Sequence, residues 1–171
     1  MASPRTPDVF GPGQESVWDY PRPPRLEASR HRVRILVGDI VIADVRPSDG
    51  AAWRVLETSH PPTYYVARPA FDEAWLRPGQ GRSWCEWKGQ ASYTDVVGPG
   101  GEVLVEQAAW SYADPTPGFE ALTDALAFYP GKVHCEVGGE LVRPQAGGFY
   151  GGWITDEVVG PFKGEPGTMG W

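Results

Sequence analysis

A chain of 171 residues with a net charge of −7 is long enough for one hydrophobic core and too short for two ordinary domains. Its 22 glycines and 18 prolines point to many turns, while 41% apolar and 12% aromatic residues leave ample surface to bury. The pI near 4.9 argues against nucleic acid, whose binding needs clustered Lys and Arg, and no apolar run approaches the roughly 20 residues of a bilayer span, which excludes membrane insertion.

The acidity is uneven: residues 1–54 carry 8 Arg against 7 Asp or Glu, and residues 55–171 carry 7 Lys or Arg against 15 Asp or Glu. Cys85 and Cys135 have no disulfide-framework spacing. No apolar segment follows the N-terminus as a secretion signal, so two free thiols in a reducing cytoplasm are expected. There is no Asn and there are three Lys against twelve Arg, a bias like that of GC-rich bacterial genomes.

In chain order, residues 1–24 are Pro-rich and lack apolar periodicity, which predicts an extended surface arm with Trp18 and Tyr20 as docking points. The remainder, 25–171, is expected to form one β-rich domain. Arg32 to Val37, Gly38-Asp39, then Ile40 to Asp44 reads as a tight hairpin, and the basic run Arg30 to Arg34 as the solvated face of its strand. Lys132 to Val142 repeats this pattern position for position, so the two hairpins are similar, although no second segment supports a wider duplication. Between them, Trp53 to Glu57 and Tyr64 to Val66 read as strands flanking the bend Ser59-His60-Pro61-Pro62, because two prolines cannot sit inside a central strand. Residues 67–82 admit at most one helical turn, around Phe71 to Leu76. Trp84 to Lys88, Ser92 to Val97 and Glu102 to Trp110 follow as strands, the last two joined at Gly98 to Gly101. Thr116 as N-cap, Pro117 at the first helical position and Phe119, Leu122 and Leu126 at helical spacing predict one short helix over Pro117 to Ala125. A Gly- and aromatic-rich tail occupies 147–171. The expected fold is mainly β: a single domain with a curved sheet or open barrel built from hairpins, with one short helix packed on it.

Four ordered motifs carry a resemblance to a known family: Val55-Leu56-Glu57-Thr58-Ser59-His60-Pro61-Pro62-Thr63-Tyr64-Tyr65, then Cys85-Glu86-Trp87-Lys88-Gly89 with Ala91 and Tyr93, Ala108-Ala109-Trp110-Ser111-Tyr112 with Asp114-Pro115, and Ala127-Phe128-Tyr129-Pro130. Together, over about residues 32–137, they resemble domain-of-unknown-function family 427. The resemblance implies a compact β-sheet fold, tent-like or barrel-like, with one helix, and supplies no agreed activity. A nucleotidyltransferase label has been attached to the family, yet this chain has no Gly-Ser motif followed by a paired Asp-x-Asp strand to hold Mg²⁺ and a nucleotide.

In the first motif Glu57 ends a strand, and the Ser59 hydroxyl and His60 imidazole follow on the bend, where such groups can converge on a ligand or supply a general base. The alternative is turn chemistry, with Glu57 accepting backbone N–H bonds. In the second, Cys85 and Trp87 share one face of an extended segment; Cys85 could pair with His60 as a nucleophile or fill space as an inert thiol. Lys88, beside Gly89, could bind a carboxylate or phosphate, or pair with Glu57 or Glu86. Most of the Trp and Tyr residues read as core, with Tyr64, Tyr65 and Trp110, which adjoin Pro or Gly loops, read as pocket residues. Three His and two Cys show no metal-ligand spacing, and the Gly-x-Gly pieces near 98–101 and 147–152 lack phosphate-loop context, so neither a metal nor a cofactor is expected.

Three functions remain open. One is a binding module in which Tyr64, Tyr65, Cys85, Trp87 and Trp110 form an aromatic pocket and Glu57 and Lys88 fix a polar small molecule. Another is a small enzyme with Glu57 or His60 as general base and Lys88 as electrostatic stabiliser. The third is a protein-interaction module docking through the Pro-rich arm. Whether Glu57 and Lys88 line one cavity separates the first two from the third. Oligomeric state is not legible.

Overall fold

A computed structural model describes residues 6–85, 87–147 and 150–171. The protein is mainly β, built from fifteen short strands and no α-helix among the described residues. The sheets do not close into a barrel.

The first sheet is made by the two similar hairpins. Strands β3 (Val33–Val37) and β4 (Ile40–Val45) turn at Gly38-Asp39, and β11 (His134–Val137) and β12 (Glu140–Leu141) turn at Gly138-Gly139. Gly38, Gly138 and Gly139 have φ of 57°, 58° and 84°, values that tight hairpin turns demand and L side chains rarely adopt. The hairpins join edge to edge in the order β12-β11-β3-β4. Ile35 lies opposite Cys135, while Arg34–Glu136 and Leu36–His134 are reciprocal pairs about it. Matching positions thus face each other across a local two-fold, which a register shift between Ile35 and Leu36 in the β3–β4 pairing breaks on one side only. The basic run is largely paired rather than simply solvated: Arg32 and Arg34 reach Asp44, and Arg34 also reaches Glu136.

The second, curved sheet is assembled from two ladders that meet at a single bridge. Strand β5 (Ala52–Leu56) lies between β2 (Arg25–Ala28) and β6 (Thr63–Val66). The backbone of Val66 exchanges two hydrogen bonds, of 2.9 and 2.8 Å, with Leu126. Leu126 leads into β10 (Ala127–Phe128), which pairs with β9 (Val103–Tyr112), then β8 (Gly89–Val97) and β7 (Leu76–Cys85). Strand β7 runs through Pro78, Gly79 and Gly81, well before the strand expected to start at Trp84. It is a strand because it lies at the sheet edge, where Pro is tolerated, and a register shift between Pro78 and Arg82 absorbs the glycines. Residues 68–70 and 73–75 form two 3₁₀ turns before it.

The main core fills the space between the two sheets, with Val33, Ile35 and Ile42 facing Val66, Val96, Ala108 and Phe128. A second apolar cluster lies on the other face of the curved sheet and contains Val55, Tyr65, Trp110 and Tyr112. The segment 113–126 covers part of it through Phe119 and Leu122, but it is not the expected helix. Only Glu120–Leu122 forms a 3₁₀ turn, because Gly118 and Asp124 at φ of 98° and 61° cannot continue a right-handed helix. Thr116 is not an N-cap; its hydroxyl donates instead to the Trp87 carbonyl.

Of the expected surface arm, residues 6–13 are exposed, whereas the residues after them are built into the fold. Strand β1 (Glu15–Ser16) pairs in parallel with β15 (Val158–Val159), and Val17 and Tyr20 pack with Leu56 and Val158 in a third cluster. Trp18 donates to the Pro161 carbonyl at 2.9 Å and meets Trp171 edge-on. The tail also contributes β13 (Arg143–Pro144) and β14 (Trp153–Ile154), which pair with each other. No helix among the described residues is long and apolar enough to cross a membrane.

Candidate functional site

Strand alternation decides which aromatics can share a site. On β6, Thr63 and Tyr65 face the second cluster, while Tyr64 and Val66 face the main core. Side chains alternate along β6, so Tyr64 is not with Tyr65. It is 2% exposed, stacks on Trp153 with ring centroids 4.9 Å apart, and burial pushes its phenol up to about 12.

The second cluster does not fill its space. A cavity of about 290 Å³ remains, with Val55, Thr63 and Tyr65 on one side, Trp110 and Tyr112 on another, and Cys85, Trp87, Lys88 and Tyr93 completing the wall. Glu57, His60 and Pro61 of the bend after β5 stand at its rim, together with Trp84, Gln145 and Tyr150. Seven of the eight residues singled out from sequence, Glu57, His60, Tyr65, Cys85, Trp87, Lys88 and Trp110, therefore line one cavity, and Tyr64 lies behind the sheet. Glu86 and Phe149 lie outside the described residues.

The strand expected over Trp84 to Lys88 ends at Cys85, and Lys88 is buried although it lies in the hairpin turn that follows. Cys85 pairs with Gly89 across that turn, and the loop 114–116 is laid against it: the Thr116 N–H donates to the Lys88 carbonyl at 3.2 Å. Gly89 has φ of 103°, and a Cβ there would stand 3.3 Å from the Asp114 carbonyl oxygen, so the close approach requires glycine. Lys88 is left 9% exposed, with Nζ 6.0 Å from the Tyr112 ring centroid. Among the described residues no carboxylate lies within 4.0 Å of it, Glu57 included. Burial works against its charge, but the oxygen of the neutral Tyr65 phenol, the Cys85 sulfur to which it is hydrogen-bonded and the Glu57 carboxylate beyond ion-pair distance outweigh burial and raise its pKa, keeping the ammonium protonated at neutral pH. Burial also raises the phenols of Tyr65 and Tyr112, which stay neutral. The Trp110 indole N–H donates to the Tyr65 oxygen at 3.3 Å, which leaves the Tyr65 hydroxyl proton to donate elsewhere.

The rim is held by polar bonds. Glu57 Oε2 lies 3.4 Å from Arg22 Nε and 3.7 Å from His60 Nδ1. His60 Nδ1 is 2.8 Å from the Thr58 carbonyl and so carries the proton, leaving Nε2 as the basic nitrogen. Burial holds the imidazole pKa below its usual value against the opposing pull of Glu57, so His60 is neutral at pH 7. Thus the bend supplies an acceptor and a base, and the far wall supplies a cation and a hydroxyl donor.

Sequence reading missed the roof. Gly151 and Gly152 pass directly over the cavity: a Cβ on Gly151 would overlap the Trp110 indole, and one on Gly152 would come within 2.6 Å of Pro61. Gln145 fastens this segment, accepting from the Gly152 N–H at 3.2 Å and donating to the Lys163 carbonyl at 2.6 Å. The Gly-Gly pair was visible, but the ring it spans is distant in sequence. Among the described residues no three His, Cys, Asp or Glu gather as metal ligands.

Residues 25–139 match the family model described as Domain of unknown function (DUF427), a span of well over half the chain. No curated protein matches it.

Proposed function

The chain belongs to domain-of-unknown-function family 427, and we propose that it binds a small polar molecule in the aromatic cavity between the curved sheet and its Gly-rich tail. The observation that carries this reading is Lys88: a buried ammonium lining a cavity, with no carboxylate within ion-pair distance among the described residues. A buried charge costs several kcal/mol unless it is paired, and such a cost is retained where it serves a ligand. The aromatic walls offer ring faces and the rim offers fixed polar groups, the composition of a small-molecule site. The two free thiols support a reducing, cytoplasmic setting.

A thermal-shift screen of small polar aromatics against the full chain tests the proposal. A true ligand at about 100 times its Kd stabilises the fold by about 2.7 kcal/mol, and Trp84→Ala at the cavity mouth should reduce that shift. If no compound stabilises the protein, or the variant responds as the wild type does, the reading fails.

One observation favours a catalytic extension: a neutral His60 with Nδ1 tied to Thr58 has its second nitrogen available as a general base at the rim. Turnover of a bound compound that is lost in His60→Gln, with binding retained, would establish it.

A further inference from the structure

The polar groups of the cavity constrain what it takes, and this step rests on the reading of the cavity as a ligand site. We infer that the ligand is a planar aromatic monocarboxylate: its carboxylate meets the Lys88 ammonium and the Tyr65 hydroxyl, and its far edge presents a hydrogen-bond donor to Glu57.

The anionic end follows from Lys88. Its ammonium has three protons to donate; the Cys85 sulfur takes one, the Tyr65 and Tyr112 phenols stay neutral, and among the described residues no carboxylate lies within 4.0 Å to meet the others. A carboxylate entering the cavity gains a charge-assisted bond from Lys88 and a second donor from Tyr65, whose oxygen already accepts from Trp110.

The single charge follows from what else lines the space. Besides Lys88, the charged group lining the cavity among the described residues is the carboxylate of Glu57, and His60 is neutral. A phosphate dianion would find one ammonium, no guanidinium fork and no helix N-terminus, and would face Glu57 across a low-dielectric space. One negative charge is what this wall can neutralise.

The planar body follows from the walls. The Trp110 and Tyr129 rings meet at 4.7 Å between centroids, tilted by 48°, and Trp87, Tyr93 and Trp84 continue the lining. Flat rings gain most from stacking and edge contact with such faces. The donor at the far edge follows from Glu57: Arg22 and His60 both approach Oε2, and Oε1 accepts no hydrogen bond from the described residues.

Calorimetric titration of the full chain with benzoate, para-hydroxybenzoate, para-hydroxybenzamide and phenyl phosphate tests the inference. The expected order places para-hydroxybenzoate tightest and benzoate next, with the neutral amide and the phosphate at least about tenfold weaker, or about 1.4 kcal/mol. Lys88→Met should abolish the preference for carboxylate over amide, and Glu57→Gln should reduce the preference for the hydroxylated ring. If the amide or the phosphate binds as tightly as para-hydroxybenzoate, and Trp84→Ala weakens it, the cavity is a ligand site but the monocarboxylate class is wrong. Carboxylate binding that survives Lys88→Met unchanged overturns the assignment as well. If none of the four probes binds, both the class and the underlying reading are overturned.

Discussion

Lys88 lies in a hairpin turn, where a lysine ordinarily reaches into water, and is buried because the Asp114 to Thr116 loop lies against Gly89. A side chain kept buried for packing and one kept buried for its charge respond oppositely to the loss of that charge. Lys88→Met should leave the melting temperature unchanged or raised, since replacing a poorly paired buried charge with an apolar isostere is neutral or stabilising; a clear fall would show that the ammonium holds the fold together. His60 offers a pH test with a defined sign. Its folded pKa is depressed below the unfolded value of 6.5, so the unfolded chain binds more protons as the solution is acidified. The associated stability is present above the unfolded pKa and is lost as pH falls through 6.5 toward the folded value. Urea midpoints of wild type and His60→Gln at about pH 7.5 and about pH 5.5 should show the wild type losing more stability than the variant. His31 and His134, which lie against Glu157 and Glu136, cancel in that comparison. Gly151→Ala drives a methyl group into the Trp110 indole and should cost about 1–3 kcal/mol by overpacking, read from denaturant midpoints.

At the scale of elements, the N-terminal segment departs furthest from its sequence reading. Residues 15–20 are held without an apolar period: a two-residue parallel pairing with β15 and two pegs, Val17 and Tyr20, attach them. The strongest tie is electrostatic. Arg54 is 1% exposed and is met by Glu15 at 2.8 Å and Glu27 at 2.5 Å, with the Tyr20 hydroxyl donating to Glu15 at 3.2 Å. Removing residues 1–20 strips Leu56 of its cover and takes one carboxylate from Arg54, so the truncated protein should lose about 3–5 kcal/mol of stability. Unchanged cooperative unfolding would mean that the segment is a dispensable arm. The hairpins, by contrast, were legible, because Gly-containing turns and alternating apolar residues are local signals. The helix expected over 117–125 failed on a local signal as well: spacing of Phe119, Leu122 and Leu126 outweighed Gly118, whose positive φ ends any helix there. The pairing of the two hairpins about Ile35 and Cys135 joins segments a hundred residues apart, beyond the reach of periodicity.

Across the whole molecule, the cavity exists because one curved sheet has two apolar faces and only one of them is filled by a second sheet. The other face is covered by the loop 113–126 and the tail, which leave the space around Trp110 open. Sequence reading brought Glu57, Lys88 and most of the aromatic wall together because these residue types sit where strands meet bends and glycines. It put Tyr64 in that group, where strand alternation forbids it, and it left out the tail, whose contact with Trp110 is set by tertiary packing alone. The indole N–H resonances of the eight tryptophans, followed by ¹⁵N–¹H NMR while para-hydroxybenzoate is titrated into the full chain, report whether a ligand enters this cavity. Trp110 and Trp87, which line the cavity, should shift saturably, while Trp153, locked to the Phe128 carbonyl at 2.9 Å on the opposite face, and Trp18, at the third cluster, should not. Shifts confined to Trp18 and Trp171, or no saturable shift at Trp110 and Trp87, would contradict the account.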